Sequence, residues 1–238
     1  MPKLKAKEIR KLAWNDLAAK QYWPFVGGYV VTSLILGVIC AVAVVALVVS
    51  IVTLHLGGVS AEDVLRPEYL LPITVFSCIA AVPILYGWGF ASWSFTRMTI
   101  AATNRELRFE HCLSGWGHGW KMCWTMLVMV TYAQLWLLLL VVPGIVKMFS
   151  YAMTAYVQVE HPDWTANQCI DESRRLMDGN RWRLFCLGVS FIGWYLLLVV
   201  ATVVPVVGGF AQWLLSPYVM TATGRFYSEI KREKGQAL

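Results

Sequence analysis

Residues 25–54 read FVGGYVVTSLILGVICAVAVVALVVSIVTL, and no Asp, Glu, Lys or Arg occurs from Gln21 to Ala61. The hydrocarbon core of a bilayer, about 30 Å thick, is crossed by about 20 apolar residues in an α-helix. Because the backbone must satisfy its own hydrogen bonds in lipid, this run is predicted to be a transmembrane helix. At about 45 Å it exceeds the thickness of the core. It must therefore tilt, project from the membrane or break near Gly37.

Other apolar runs follow along the chain. Of its 238 residues, 58% are hydrophobic and only 14% are charged, whereas about a quarter are charged in soluble globular proteins. We therefore predict an all-α, polytopic helical membrane protein that forms a single integral membrane domain over residues 1–238. A bundle of six transmembrane helices covers residues 25–227, and residues 228–238 form a cytoplasmic tail. The predicted spans are residues 25–54, 70–96, 122–142, 143–159, 184–204 and 210–227.

The basic residues lie at the ends of these runs. The chain carries 20 Lys and Arg residues and a formal net charge of +6. If both termini are cytoplasmic, all of these residues except Arg66 and Lys147 lie on the inner side, as the positive-inside rule requires. Charges spread along a membrane surface do not form the single cationic face of a nucleic-acid-binding protein. Nucleic acid is therefore not an expected partner.

Prolines mark the short connections between apolar runs. Pro143 with Gly144, and likewise Pro205, are predicted helix breaks that close helical hairpins, since proline lacks the backbone donor that continues a helix. Pro217 interrupts the last run. Its break either frees backbone carbonyls to bind a ligand or is only a packing kink.

The hairpins have the character of an internal repeat. The same interval separates a tryptophan from the proline of the following turn in two parts of the chain, and a fainter third copy precedes them. If the similarity is not chance resemblance between apolar stretches, the protein consists of three packed αα-hairpins. The aligned pairs are Trp120–Pro143, Trp182–Pro205 and, in the fainter copy, Trp23–Pro83.

Two polar segments have amphipathic helical patterns. In residues 164–177, Thr165 and Gln168 have the spacing of a capping box, and Gly179 suits a helix stop. Residues 1–20 are predicted to form a cytoplasmic interfacial helix. Both segments either lie on the inner membrane surface, attracted to anionic lipid headgroups, or are ordinary connecting helices. In the first segment the apolar side consists of Ile9, Leu12, Ala13 and Leu17.

The second amphipathic segment and its continuation are rich in arginine. Asp171 and Arg175 have the i,i+4 spacing of an ion pair. The basic side chains are candidate contacts for lipid headgroups or for a protein partner. These candidates are Arg174, Arg175, Arg181 and Arg183.

Lys147 is placed by this arrangement near the outer end of a span. An ammonium group in hydrocarbon costs several kcal/mol unless it reaches water or a partner. Lys147 either lines a polar cavity or extends to the outer headgroups, which lie about one helical turn away. The candidate intramembrane polar site consists of Lys147, Gln134, Tyr151 and Tyr156.

The sequence contains no motif that indicates catalysis. It lacks the G-x-S-x-G and H-E-x-x-H patterns, and its glycines form no phosphate-binding or dinucleotide-binding fingerprint. Asp and Glu are confined to the loops and termini, which argues against a proton- or sodium-coupled transporter. We expect a protein that is not an enzyme and has no cofactor or metal. His111, Cys112, His118 and Cys123 do not have the spacing of a closed zinc site.

From residue 142 onward the chain carries Pro143-Gly144-Ile145-Val146-Lys147, Tyr151-Ala152-Met153, Ala166-Asn167, Glu172-Ser173-Arg174, Gly179, Arg181-Trp182-Arg183-Leu184-Phe185, Phe191-Ile192-Gly193-Trp194 and Pro217-Tyr218. By these motifs it resembles a bacterial family of multi-pass membrane proteins known as domain of unknown function 975. The resemblance implies an inner-membrane location and no assigned activity. The family is distantly similar to membrane domains attached to glycerophosphodiester phosphodiesterases, an analogy that points to lipid handling.

We therefore expect a cell (inner) membrane protein that moves, shelters or senses a lipid-like or amphipathic molecule. The alternative is an accessory membrane scaffold that docks a protein partner through its cytoplasmic loops. The expected partners are the lipid bilayer, anionic lipid headgroups at the cytoplasmic face, and a protein partner or a second copy of the chain.

Overall fold

The computed structural model describes residues 5–18, 21–56, 66–203 and 205–235, which form helices and turns and no strand. The predicted all-α class is confirmed for this part of the chain. The helices are α1 (Ala6–Ala18), α2 (Tyr22–Leu56), α3 (Pro67–Thr103), α4 (Gly119–Leu139), α5 (Val141–Tyr151), α6 (Thr154–Glu160), α7 (Ala166–Met177), α8 (Arg181–Val189), α9 (Ile192–Ala201) and α10 (Pro205–Glu233), with a 3₁₀ helix at Phe109–Leu113.

Three of the described helices are long and apolar enough to cross a membrane. They contain the segments Tyr22–Ala46 in α2, Ser77–Thr103 in α3 and Gly119–Leu139, which is the whole of α4. Helices α8 and α9 are bent by 41° relative to each other and provide a fourth candidate if the pair forms one span. Of the alternatives for the first run, a break near Gly37 is wrong, because α2 passes through that residue as one helix.

The predicted spans do not each correspond to one helix. Residues 143–159 are divided between α5 and α6. The 11 residues of α5 extend about 16 Å, which is too short to cross the core alone.

Two of the three helix breaks predicted from prolines differ from those in the structure. The first break is at Leu140, whose extended backbone (φ −160°, ψ 132°) separates α4 from α5, while Pro143 lies in the first turn of α5. Pro205 begins α10 as predicted. Pro217 does not end a helix, since α10 continues past it to Glu233. A proline removes one helical hydrogen bond, a loss that a packed helix tolerates, and Pro217 is buried.

The buried side chains gather at one end of the helical pairs, in a region that we call the base. Beyond the base, the pairs α2–α3, α4–α5 and α9–α10 carry mostly exposed apolar side chains. Such a distribution is inverted relative to a soluble protein and suits a surface covered by lipid. Three hydrophobic clusters make up the base, and their largest members include Ile9, Met153, Leu176, Leu187 and Phe226 in the first, Leu17, Phe25 and Met98 in the second, and Trp93, Met122 and Val159 in the third.

The apolar sides of α1 and α7 pack on the base. Ile9, Ala13 and Leu17 of α1 are almost fully buried, as are Cys169 and Leu176 of α7. Because protein side chains provide this burial, the connecting-helix alternative accounts for both apolar sides without lipid. The local geometry of α7 agrees with its sequence signals, which are the Thr165–Gln168 capping box and the positive φ of 76° at Gly179.

The ion pairs of α7 differ from the predicted one. Arg174 pairs with Asp171 at 2.9 Å, and Arg175 pairs with Glu172 at 2.7 Å. The predicted Asp171–Arg175 pair is therefore wrong. An i,i+3 spacing also brings side chains together on one helix face, and Arg175 makes two hydrogen bonds to Glu172 there.

The buried carboxylate of Asp16 connects α1 to two parts of the chain that are distant in sequence. Asp16 accepts hydrogen bonds from Arg105 at 3.3 Å and lies 3.6 Å from the guanidinium of Arg225 on α10. Arg105 reaches it from a left-handed backbone conformation (φ 60°) just after α3. Glu229, on α10, contacts Arg225 at 3.7 Å and Arg232 at 2.6 Å. The network joins α1, α3 and α10 at the base.

Candidate functional site

An apolar cavity lies where α9 and α10 meet the ends of α1 and α2. Its volume is about 500 Å³. Leucines of α9 and α10 form its walls, and we call it the α9/α10 groove. The residues that line it include Trp14, Tyr22, Leu198, Leu214 and Tyr218.

Aromatic side chains close one end of the α9/α10 groove. Trp14 packs edge-on against Tyr218 with ring centroids 5.7 Å apart, and it also contacts Tyr22 at 6.3 Å. The Tyr22 hydroxyl donates to the backbone carbonyl of Leu214 at 3.0 Å. These contacts hold three rings with polar tips at the entrance, an arrangement that suits the boundary between water and lipid.

The positive charge of Arg10 lies next to this aromatic end. The Arg10 guanidinium donates to the Ser190 carbonyl at 3.1 Å and to the Tyr218 hydroxyl at 3.4 Å, and it lies over the Phe191 ring at 5.4 Å. An apolar cavity with one cationic end can accept a molecule that has an apolar body and a polar or anionic head. Sequence analysis missed this cavity, because its walls come from four helices that are distant in sequence.

Lys147 lies outside the α9/α10 groove, against a tryptophan of α4. Its ammonium group sits 4.6 Å from the centroid of the Trp136 ring. Trp136 borders a cavity that Arg174 also lines. The sequence analysis assigned Lys147 to the outer side and Arg174 to the inner side, whereas the structure places the two side chains on either side of one tryptophan-lined cavity. The membrane side of Lys147 stays a prediction.

The structure does not assemble the four residues of the candidate polar site. Gln134 and Tyr151 line a cavity of about 230 Å³ between α4 and α5. Tyr156 is buried in the base, stacked on Tyr227 with centroids 5.2 Å apart. Lys147 contacts Trp136 instead.

The four candidate arginines divide into two groups. Arg174 and Arg175 are exposed and Arg181 is half-buried, and each has a carboxylate partner within three residues. Arg183 is largely buried and makes hydrogen bonds of 2.8 and 3.0 Å to Glu233 of α10. Arg183 therefore joins α8 to α10.

A polar cluster in the base escaped the sequence analysis. Glu160 accepts hydrogen bonds from the Tyr227 hydroxyl at 2.6 Å and from the Lys231 ammonium at 2.7 Å. The cluster borders a cavity of about 310 Å³ together with His161 and Trp164. Its members are separated by 67 and 71 residues in the sequence, so no local motif could have revealed it.

Among the described residues, no group of three or more His, Cys, Asp or Glu side chains is arranged to hold a metal ion. Cys112 and Cys123 are both buried. Burial also raises the pKa of the Cys169 thiol to about 11. This side chain is therefore protonated near neutral pH and is a poor nucleophile.

The fold, with three or four helices of sufficient length and apolarity, is compatible with a helical membrane protein. The comparison with protein families gives a more specific result than the fold. Residues 121–234 match the family model described as "Protein of unknown function (DUF975)", so the resemblance drawn from the sequence motifs is confirmed. The match begins at α4, before residue 142 where the motifs began. Comparison with curated proteins found no match, and comparison with solved structures found none.

Proposed function

We propose that this chain is a multi-pass inner-membrane protein that shelters a lipid-like or amphipathic molecule in the α9/α10 groove. The observation that carries the proposal is the apolar cavity of about 500 Å³ whose aromatic end includes Tyr218, the residue to which Arg10 donates a hydrogen bond. Outside the groove, α9 is covered with exposed apolar side chains such as Leu196 and Val200. A lipid chain could therefore enter from the bilayer without crossing a polar surface.

Filling the groove tests this proposal. Leu198→Trp places a large side chain into the cavity and is expected to weaken binding of a photoreactive or fluorescent fatty acyl probe about tenfold, or ~1.4 kcal/mol. Binding is measured with the purified full-length protein in detergent micelles and in vesicles.

Leu196→Trp is the matched control. Leu196 lies two residues away on the same helix and is exposed, so its substitution should leave probe binding unchanged. Equal binding by both variants and the wild type, or absence of saturable probe binding by the wild type, would contradict the proposal.

We propose further that three helical hairpins enter the membrane from the cytoplasmic side. The first helix of each hairpin is α2, α4 or α8. The second residue of each of these helices is an exposed tryptophan, namely Trp23, Trp120 and Trp182. This position suits anchors at one membrane interface. His118 and Asn180 precede α4 and α8 with nearly equal dihedral angles (φ −120°, ψ −2° and φ −118°, ψ −3°). They are aligned in the predicted repeat, which supports three related hairpins and cytoplasmic termini.

The middle hairpin, α4–α5, is proposed to enter only about half of the bilayer. The first part of α4 is buried in the base, where Thr125 donates to Gln158 at 2.7 Å. The end of α5 is held there by Ser173, whose hydroxyl donates to the Ser150 carbonyl at 2.9 Å. From Lys147 to the turn at Leu140 the helix rises only about 10 Å. This arrangement keeps both termini on one side. The proposed complete spans are α2, α3, the α8–α9 pair and α10, and α4 with α5 forms a re-entrant hairpin although α4 is itself long and apolar enough to cross.

Labelling of a single cysteine distinguishes the two topologies. In a variant whose six native cysteines are replaced by Ala, Val142→Cys is expected to resist a membrane-impermeant maleimide added from outside. Ser60→Cys, in the predicted outer loop and beyond the described residues, should react and serves as the positive control. Labelling of Val142→Cys as fast as Ser60→Cys would establish a complete span instead.

The scaffold alternative, and the absence of enzymatic activity, stay predictions. The two exposed arginines of α7, Arg174 and Arg175, offer a surface for a partner, but each is paired with a carboxylate of the same helix.

A further inference from the structure

A second cavity, of about 380 Å³, lies between α4, the end of α5 and α7. It differs in character from the α9/α10 groove, because aromatic, amide and charged side chains line it. We call it the α4/α7 cavity. Its polar and aromatic lining consists of Tyr132, Trp136, Tyr151, Asn167, Asp171 and Arg174.

Two cations lie at this cavity. Lys147 lies over the ring of Trp136, one of its walls, and Arg174 lines it directly. Asp171 also lines the cavity and pairs with Arg174 at 2.9 Å, so the positive charges of Arg174 and Lys147 are opposed there by one carboxylate. A converging positive charge of this kind is stabilised by an anion.

The cavity also borders a surface suited to hydrocarbon. Leu135, Leu138 and Leu139 of α4, and Ile145 and Val146 of α5, are exposed on the hairpin that extends beyond it. A ligand with an anionic head and apolar chains would contact both the cations of the cavity and the apolar side chains of the hairpin. A small soluble anion would contact only the cations.

We propose that the α4/α7 cavity binds the phosphate headgroup of an anionic membrane lipid, whose chains lie along the α4–α5 hairpin. Lys147 and Arg174 contact the phosphate, and the Tyr132 hydroxyl, which interacts with Asn167 at 3.2 Å, lies beside them in the wall. Arg and Lys beside a membrane attract anionic headgroups in this way. The proposal concerns a different cavity from the α9/α10 groove and does not rest on its function.

The test compares binding of phosphatidylglycerol and phosphatidylcholine to the full-length protein, by native mass spectrometry and in mixed vesicles. The wild type is expected to prefer phosphatidylglycerol. Lys147→Met and Arg174→Gln should each reduce this preference about fivefold, or ~1 kcal/mol. Lys147→Arg should retain it, and Asp171→Asn, which removes the competing carboxylate, should increase it.

Arg175→Gln is the matched control, since Arg175 is the neighbouring arginine on α7 and pairs with Glu172 outside the cavity. It should leave the preference unchanged, as should Leu198→Trp in the other cavity. Equal binding of the two lipids by the wild type would overturn the proposal, as would wild-type preference in Lys147→Met. Displacement of the lipid by millimolar inorganic phosphate alone would assign the cavity to a soluble anion and also overturn it.

Discussion

Asp16→Ala is expected to lower the free energy of unfolding by about 2 kcal/mol, because it removes the buried carboxylate that joins α1 to Arg225, while Arg225 retains Glu229 as a partner. The Asp16 side chain is only 5% exposed, and that of Arg225 is 25% exposed. The Arg105 side chain is 60% exposed, so water screens it and it contributes little to the loss. Thermal unfolding of the purified protein in detergent measures the effect. Faster proteolysis in α1 should accompany it.

Asp171→Ala is the control for this substitution. Asp171 also pairs with an arginine, at 2.9 Å, but its side chain is 69% exposed. Its loss should cost about 0.5 kcal/mol or less. Equal destabilisation by the two variants would show that burial of the Asp16 network does not contribute to stability.

Gly144→Leu should destabilise the protein by about 3 kcal/mol. A Cβ atom at Gly144 would lie 2.8 Å from the backbone Cα of Leu137 on the facing helix. A larger side chain must therefore force α4 and α5 apart at the start of their hairpin, and overpacking of this kind typically costs 1–3 kcal/mol or somewhat more. The expected result is a lower unfolding temperature and weaker protection of the hairpin from proteolysis.

Gly37→Ala separates this effect from the general cost of replacing a glycine. A Cβ atom at Gly37 would meet nothing within 4 Å, and alanine in a helix interior is favoured over glycine by up to about 1 kcal/mol. This variant should be as stable as the wild type or slightly more stable. Wild-type stability of Gly144→Leu would mean that the two helices can separate without cost.

The sequence predicts where helices form better than it predicts how they pack against one another. Apolar runs, the Thr165–Gln168 capping box and the turn at Gly179 depend on neighbouring residues, and the structure contains the corresponding features. The surroundings of Lys147 depend on where the end of α5 packs against α7. That packing is fixed by contacts such as the hydrogen bond from Ser173 to Ser150, which hydropathy does not reveal.

The sequence pattern of an amphipathic helix also does not show whether lipid or protein covers its apolar side. The apolar side of α1, with Ile9 and Leu17, would suit either lipid or protein, and only the structure shows the clusters of the base that bury it. The contacts that fix α1 and α6 are also long-range, since Asp16 and Arg105 are 89 residues apart. Charge pairs at such separations cannot be derived from a single sequence.

The short α5 helix also bears on the shape of the surrounding bilayer. In the proposed topology, the α4–α5 hairpin ends near the midplane, displaces hydrocarbon from the cytoplasmic monolayer and leaves the opposite monolayer intact. The area occupied by protein then differs between the two monolayers, and the membrane relieves this difference by bending. The molecule would act as a wedge that favours regions where the cytoplasmic monolayer is convex.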